Sequence, residues 1–505
     1  MGITLAVCAS LFALQGEAPL RYTIEVRPEE DLYEVELVPG KLTADDRYFD
    51  FVAFAPGVHS VLNFGRFVQE IEALDESGEA IAVEPVHMNR WEIKEPERVV
   101  RIRYAIEDTF DTEISEHRVL PCAGSGIDTD YTLLNTFAVL GYFENHLARP
   151  VELALEHDPA WTVGSALTPD EDGLYRAPSY RRLVDSPFLI GDLTTVGIFV
   201  GDIEVDIFVH SPTPRLDAEE VLFVAGDILE AAYSFLEFSP VDRYVFLLDF
   251  FSMDTMRKNH FRSMGALEHS FSSLYTFPAM GNALQGLAGT LAHEFMHILT
   301  PLHLRSTIIA EFDYSIPTTD QHLWLYEGVT EWSADILRLR SGLISLEEYL
   351  DGMSQKIRMA ESFGTEYSLG RLSLEWSTPS GLRQYGNIYQ LGALTGMMLD
   401  LRLLELSKGT RGLREVFIEL IERFGVERPF DDATFRDQFI EATYPEIATF
   451  MRDHIEKNDP LAYEAAFSKL GIEYRESDRS FHVDTDASEE ALALREAWMT
   501  NLPKN

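Results

Sequence analysis

The most informative segment of the chain reads Leu291-Ala292-His293-Glu294-Phe295-Met296-His297-Ile298-Leu299 and contains a His-Glu-x-x-His pattern among apolar residues. Residues four apart lie on one face of a helix, so His293 and His297 can reach the same ion. A catalytic zinc site takes three protein ligands and leaves one position open. Glu294 lies about 100° further round the helix, where it can act as general base toward an attacking water. The segment therefore predicts one Zn²⁺ per chain, although matches this short also occur by chance, so a third ligand is needed.

Glu327 is the predicted third ligand, in the apolar segment His322–Trp332 that we expect to be a helix. A carboxylate among large apolar side chains needs a partner, and a zinc ion would be one. Glu331 and Asp335, one and two turns further on, are predicted to accept a hydrogen bond from the second nitrogen of a ligand histidine. The alternative for these two acids is a solvated helix face.

Four motifs in order resemble a known family. The His-Glu-x-x-His pattern is followed, after twenty-nine residues, by Glu327 inside Leu-Trp-x-x-Glu-Gly-x-Thr. Upstream, Gly265-Ala266-Leu267-Glu268-His269 resembles Gly-Gly-Leu-Glu-His, and downstream Tyr389-Gln390-Leu391-Gly392-Ala393 resembles Tyr-x-Lys-Gly-Ala. Together they resemble the glycyl aminopeptidase-type gluzincins, relatives of the thermolysin-like zinc peptidases.

This resemblance implies roles for further residues. Glu268 would hold the free α-amine of the substrate, and the backbone of Gly265 and Ala266 would run beside the substrate as an edge strand. Tyr389 would donate a hydrogen bond to the developing oxyanion, with Tyr385 as the second choice. The alternatives are an ordinary glutamate at a strand end and tyrosines that only pack a helix.

The implied function is a zinc-dependent aminopeptidase that removes N-terminal residues by Glu-assisted attack of a water that zinc activates. Two alternatives stay open: an endopeptidase with the same zinc site, and a non-catalytic peptide-binding protein on a peptidase scaffold. The chain departs from the family pattern at Leu391, where a lysine is usual, and at Ala266, where a second glycine is usual. Only about thirty-five residues follow Leu470, so we expect no C-terminal PDZ domain.

The chain as a whole predicts an α+β protein in four parts. Residues 1–18 resemble a signal peptide, because the apolar stretch Ile3–Leu14 is too short to span a bilayer. Alternating apolar residues in residues 19–195 predict an antiparallel β-sandwich-like domain. Residues 196–475 are predicted to form a thermolysin-like zinc peptidase domain that ends in a helical subdomain, and residues 476–505 a C-terminal tail.

Charge and cysteine content narrow the partners and the compartment. The formal net charge of -43 argues against nucleic-acid binding and against attachment to anionic membranes. We expect no stable membrane insertion, peptides with a free N-terminus as partners, and a periplasmic or secreted location. If residues 1–18 are instead a buried first element, the location would be cytoplasmic. Cys8 and Cys122 are too few for a disulfide scaffold.

Overall fold

The computed structural model describes residues 18–112, 118–259 and 264–502 and has a sheet-rich N-terminal part followed by a largely helical C-terminal part. This arrangement confirms the predicted α+β fold class. Apart from Ala18, the predicted signal peptide lies outside the described residues. Among the described helices, none combines the length and the apolar character needed to cross a bilayer.

The strands are numbered in chain order. They are β1 (Leu20–Arg27), β2 (Leu32–Val38), β3 (Tyr48–Asp50), β4 (Val68–Leu74), β5 (Ala80–Ile81), β6 (Val83–His87), β7 (Arg90–Ile93), β8 (Arg101–Glu107), β9 (Gly126–Ile127), β10 (Tyr131–Leu134), β11 (Val151–Glu156), β12 (Thr162–Ser165), β13 (Tyr175–Ala177), β14 (Phe188–Gly191), β15 (Thr194–Val200), β16 (Ile203–His210), β17 (Arg243–Phe251), β18 (Gly265–His269), β19 (Ser272–Pro278), β20 (Ile472–Arg475) and β21 (Ser480–Val483).

The α-helices are numbered in the same way. They are α1 (Thr136–Val139), α2 (Tyr180–Val184), α3 (Ala218–Leu236), α4 (Met253–Lys258), α5 (Ala283–Met296), α6 (Thr307–Ala310), α7 (Thr330–Arg340), α8 (Leu346–Ser362), α9 (Leu369–Glu375), α10 (Pro379–Gln384), α11 (Asn387–Ser407), α12 (Leu413–Arg423), α13 (Phe435–Ala442), α14 (Ile447–Met451), α15 (Tyr463–Phe467) and α16 (Glu489–Met499). Short 3-10 helices cover Phe64–Phe67, Pro96–Arg98, Pro121–Ala123, Glu144–His146 and Ser468–Leu470, and π-helical turns cover Trp324–Val329 and Arg452–Lys457.

The N-terminal part contains three sheets. A seven-stranded sheet has the order β13-β11-β1-β2-β8-β4-β5, a three-stranded sheet the order β3-β7-β6, and a four-stranded sheet the order β12-β14-β10-β9. Neighbouring strands in these sheets are antiparallel, except that β1 and β11 are parallel. In β1 the apolar residues Tyr22, Ile24 and Val26 are buried and alternate with more exposed polar ones, as their spacing predicts.

A five-stranded sheet of order β15-β16-β17-β19-β18 forms the floor of the C-terminal part. Its central strand β17 is buried almost throughout, because both faces of the sheet are covered. Tyr244 and Phe246 pack against Phe295 of α5 on one face. Val245 and Leu247 belong to a separate core with residues of β10 and β14 on the other face. The N-terminal part is thus packed directly behind the sheet that carries β18.

The secondary-structure elements of the described residues do not coincide with the predicted domain limits at two places. Strand β15 begins at Thr194, before the predicted boundary at residue 196. The predicted tail, residues 476–505, includes β21 and α16, and Trp498 of α16 is fully buried against Tyr349 and Phe467. These residues therefore contribute to the helical core.

Candidate metal centre and active site

His293 in the last turn of α5 and His297, the residue that caps this helix, face one point, with their Nε2 atoms 3.1 Å apart. The opposite nitrogen of each ring is engaged elsewhere. Nδ1 of His293 lies 2.8 Å from a carboxylate oxygen of Glu331, and Nδ1 of His297 lies 3.1 Å from the carbonyl oxygen of Thr300. Since these contacts fix the orientation of both rings, the two Nε2 atoms are left to face the same space.

Glu327 completes this cluster from the π-helical turn Trp324–Val329 that precedes α7. Its Oε2 atom lies 3.5 Å from Nε2 of His293 and 3.7 Å from Nε2 of His297. The predicted helix around Glu327 is therefore present, but its first part is π-helical rather than α-helical. Such turns are rare and occur frequently at functional sites.

Two glycines allow Glu327 to approach α11 closely. A Cβ atom at Gly328 would lie 2.5 Å from the Cα atom of Gly392, and a Cβ atom at Gly392 would lie 2.6 Å from the Cα atom of Gly328. A side chain at either position would separate the π-helical turn from α11. Gly328 belongs to the motif around Glu327, and Gly392 belongs to the motif that begins at Tyr389.

The donor set fits a tetrahedral zinc-type centre. Ligand atoms at 2.0–2.1 Å from a tetrahedral ion are separated from each other by about 3.3–3.4 Å. The three observed separations, 3.1, 3.5 and 3.7 Å, bracket that value. A second grouping, Glu268, Glu294 and His297, also has ligand-type atoms within 4.8 Å of one another. The first set fits better, because both its imidazoles are oriented by contacts at the opposite nitrogen.

The two buried carboxylates of this region have opposite electrostatic environments. Burial raises the pKa of Glu294 well above its usual range; the charge of His293 opposes that shift, and the carboxylate of Glu268 adds to it. Burial alone would also raise the pKa of Glu327, but contacts with His293 and His59 outweigh it and hold this pKa well below its usual range. The environment of Glu294 therefore favours the protonated carboxyl group, and the environment of Glu327 in the same cleft favours the charged carboxylate.

Strand β18 is the edge of the five-stranded sheet, and its residues Ala266 and Glu268 line one side of the cleft, while Gly265 begins the same strand. A Cβ atom at Gly265 would lie 2.8 Å from Sγ of the buried Cys122, so the strand passes close to the N-terminal part here. Gly57, with a φ angle of +72°, lies against the carboxylate of Glu268. The edge strand is therefore present, and the half-buried carboxylate of Glu268 lies on it.

Two tyrosines of the helical subdomain reach the cluster. The ring centroid of Tyr389 in α11 lies 5.7 Å from that of His293. The phenol oxygens of Tyr385 and Tyr389 lie 3.0 Å apart, within hydrogen-bond distance. Burial raises the pKa of Tyr389 well above its usual value, so the phenol keeps its proton and can donate it in a hydrogen bond.

His59 is the residue of this site that sequence reasoning missed. Its Nε2 atom lies 3.1 Å from Oε1 of Glu327, the oxygen that is turned away from the two histidines. Its ring packs against Trp376 and Tyr385, with centroid distances of 5.0 and 4.9 Å. A single histidine in an N-terminal loop, far from every motif, gives no sequence signal for this contact.

Of the two acids predicted to support the ligands, the structure brings only Glu331 to a ligand histidine. The other oxygen of Glu331 forms an ion pair with Lys356. Asp335 lies 3.3 Å from the ammonium of Lys356 and 3.8 Å from Arg338. The prediction that Asp335 supports a ligand is wrong, because Glu331 and the carbonyl of Thr300 already occupy the outer nitrogens of both rings.

Comparison with known proteins gives the family. Residues 21–192 match the Peptidase M61 N-terminal domain, and residues 286–386 match the M61 glycyl aminopeptidase domain. The chain belongs to the M61 glycyl aminopeptidase family. A solved structure of an aminopeptidase N family protein from Idiomarina loihiensis has the same fold, with a TM-score of 0.78 and 22% sequence identity, over 90% of this chain and 79% of that one. None of the curated proteins matches the chain.

For this M61 family member, the cleft around His293, His297 and Glu327 is the candidate peptidase active site. The cleft has a volume of about 490 Å³ and is also lined by Glu294 and Glu268. All the residues predicted as ligands, base and substrate contacts face this one space or, as Gly265 does, lie on the strand beside it. The peptidase family and the aminopeptidase-like fold agree with each other and with the predicted class of protein.

Proposed function

We propose that this M61 protein is a zinc-dependent aminopeptidase and that His293, His297 and Glu327 hold one Zn²⁺. The observation that carries this proposal is the separation of 3.1–3.7 Å between the three donor atoms, close to that of ligands around a tetrahedral ion. When bound there, Zn²⁺ would polarise the scissile carbonyl and make the attacking water more acidic. The protein's own side chains would do the rest of the chemistry.

Glu294 is the proposed general base. Its buried carboxylate has a ligand-type atom within 4.8 Å of those of His297 and Glu268, so it can accept a proton from the attacking water and pass it to the leaving amine. Tyr389 is proposed to donate a hydrogen bond to the oxyanion from the side of His293. A positioned base and a positioned donor are what peptide hydrolysis requires of the protein.

Glu268 is proposed to bind the free α-amine of the substrate. It lies on edge strand β18, within 4.8 Å of Glu294 and His297 by the nearest ligand-type atoms, so an ammonium held there would place the first peptide bond near the base. A carboxylate–ammonium pair is a charge-assisted interaction that an acetylated N-terminus cannot form. This feature favours removal of N-terminal residues over internal cleavage.

The test of the base combines metal analysis with a peptide assay. Glu294→Gln should bind one equivalent of zinc, as wild type does, and lose at least about 10²-fold in kcat. Glu347→Gln, an exposed change at the start of α8, is the control and should keep full activity. Wild-type protein without zinc, or an active Glu294→Gln variant, would contradict the proposal.

The test of amine binding compares matched peptides with free and acetylated N-termini. Wild type should cleave the free-amine peptide and leave the acetylated one intact. Glu268→Gln should lower kcat/KM for the free-amine peptide by about 10-fold or more, because the charge-assisted pair is lost. Equal cleavage of both peptides by wild type would instead identify an endopeptidase.

A further inference from the structure

A second cavity opens beside the proposed catalytic cleft, between the N-terminal and C-terminal parts of the chain. Its volume is about 440 Å³, and it shares Gly57, Glu268 and Glu327 with the cleft. Its walls are mostly apolar, with Phe312 and Trp376 among them. Because the two spaces share these three residues, a peptide bound at the cleft can extend into the second cavity.

Arg305 brings an unpaired positive charge to this apolar wall. Within the described ranges, its guanidinium forms no hydrogen bond and no ion pair, and its Nε atom is buried without a partner. The other two arginines of the wall are engaged: Arg181 donates to the carbonyl oxygen of Phe312, and Arg182 donates to the hydroxyl of Ser186. Burial lowers the pKa of Arg305, and the charges of Asp185 and Glu427 offset only part of that shift.

Asp185 and Glu427 are the acids whose charges act on Arg305, but within the described residues neither forms an ion pair with its guanidinium. Asp185 accepts hydrogen bonds from the backbone N–H of Ser270 and lies 3.4 Å from His269. Asp320 accepts a hydrogen bond from the phenol of Tyr326. In a chain with 84 acidic and 41 basic residues, an arginine without an acidic partner in a cavity wall is available for an anion that comes from outside.

We propose that Arg305 binds a carboxylate of the peptide substrate, so that the enzyme prefers short or acidic peptides over neutral ones of the same size. This inference rests on the proposed function, since it concerns the substrate of the same site. A guanidinium forms a two-pronged, charge-assisted pair with a carboxylate. The overall charge of -43 repels acidic peptides at long range, so a preference for them requires a local cation.

The carboxylate that Arg305 binds can belong to the peptide C-terminus or to an Asp or Glu side chain. The experiment distinguishes these two sources. In one arm, di-, tri- and tetrapeptides are compared as free acids and as C-terminal amides. In the other arm, amidated peptides that differ only by Asp or Asn are compared. Both arms measure kcat/KM with wild type, Arg305→Leu and Arg305→Lys. Both also measure the Kd of each peptide by calorimetry on Glu294→Gln, because this variant should bind peptides without turnover.

Wild type should prefer the acid form by about 10- to 100-fold in at least one arm, and that arm identifies the source of the carboxylate. Arg305→Leu should bring the ratio of acid to neutral peptide close to one, and Arg305→Lys should keep part of it. Arg423→Leu, an exposed change in α12, is the control and should keep the wild-type ratio.

Equal values for acid and neutral peptides in both arms would overturn the inference, as would a preference that survives Arg305→Leu. The wild-type comparison and Arg305→Lys decide the matter if Arg305→Leu does not fold. If no peptide is hydrolysed but Kd shows a preference for acids that depends on Arg305, the proposed function fails and this inference stands.

Discussion

Replacement of His59 by alanine should weaken zinc binding, although His59 lies in the N-terminal part and outside the donor set. Its Nε2 atom lies 3.1 Å from Oε1 of Glu327, while Oε2 of the same carboxylate faces His293 and His297. The contact therefore fixes which oxygen of Glu327 is turned toward His293 and His297. In His59→Ala the carboxylate of Glu327 can rotate, and its free oxygen loses a partner in a buried place.

The expected loss follows from the geometry of this contact. The distance is that of a hydrogen bond, and the side chains of His59 and Glu327 are 17% and 5% exposed, so water replaces the lost partner poorly. A hydrogen bond to a charged group contributes about 1.5–3 kcal/mol. Loss of a group that orients a metal ligand typically costs about 10–100-fold in metal affinity. We therefore expect the Kd for zinc to rise by about 10- to 100-fold in His59→Ala.

The assay is a competition titration of the zinc-free protein against a chromophoric chelator of known affinity. His59→Gln keeps a donor on the side chain and should recover part of the affinity. His87→Ala, at an exposed position at the end of β6 in the same N-terminal part, is the matched control and should bind zinc as wild type does. A Kd for His59→Ala within about threefold of wild type would refute the argument that this contact orients Glu327.

Two further predictions concern stability. Gly392→Ala places a Cβ atom 2.6 Å from the Cα atom of Gly328 and should lower the free energy of unfolding in urea by about 1–3 kcal/mol. Gly352→Ala, whose added Cβ atom meets no other atom within 4 Å, should not lower it. Equal stability of the two variants would contradict this prediction. The hydrogen bond from His322 holds the pKa of Asp432 at about 2, below its usual value, so this pair contributes stability above about pH 4 that is lost as the pH falls toward 2. Asp432→Asn should therefore lower the thermal midpoint at pH 6 and flatten its fall between pH 4 and 2, and parallel curves for the variant and wild type would refute the assignment.

Much of the fold could be predicted because the apolar spacing is local. The alternation of buried residues in β1 and β16, the helical spacing of α3 and α12, and the capping box at Ser345 and Glu348 all depend on residues close together in the sequence. The two histidines of α5 and the carboxylate of Glu327 also belong to local patterns. Their convergence follows once α7 and the π-helical turn before it pack against α5 and α11.

The rest of the site depends on contacts between distant parts of the chain. His59 and Glu327 are separated by 268 positions, and no periodic pattern links a lone histidine in a loop to a glutamate in a helix. The π-helical turn at Glu327 escaped prediction because an i+5 turn differs from an α-turn by one residue, which a short apolar run does not reveal. Arg305 has an ordinary sequence context, and only the packed structure shows that its guanidinium forms no ion pair with any described residue.

The loop from Ala53 to Leu62 makes the N-terminal part a component of the site. Its ends are joined by a hydrogen bond from the backbone N–H of Leu62 to the carbonyl of Ala53, and Ala53 itself donates to the carbonyl of Tyr314 in the C-terminal part. This anchoring brings Gly57 to one carboxylate of the cleft and His59 to another. A fragment that begins near residue 196 would lose both contacts and expose the face of β17 that packs on β10 and β14. The change of sequence pattern near residue 196 therefore separates two segments of the chain, but residues from both segments contact the carboxylates of the cleft.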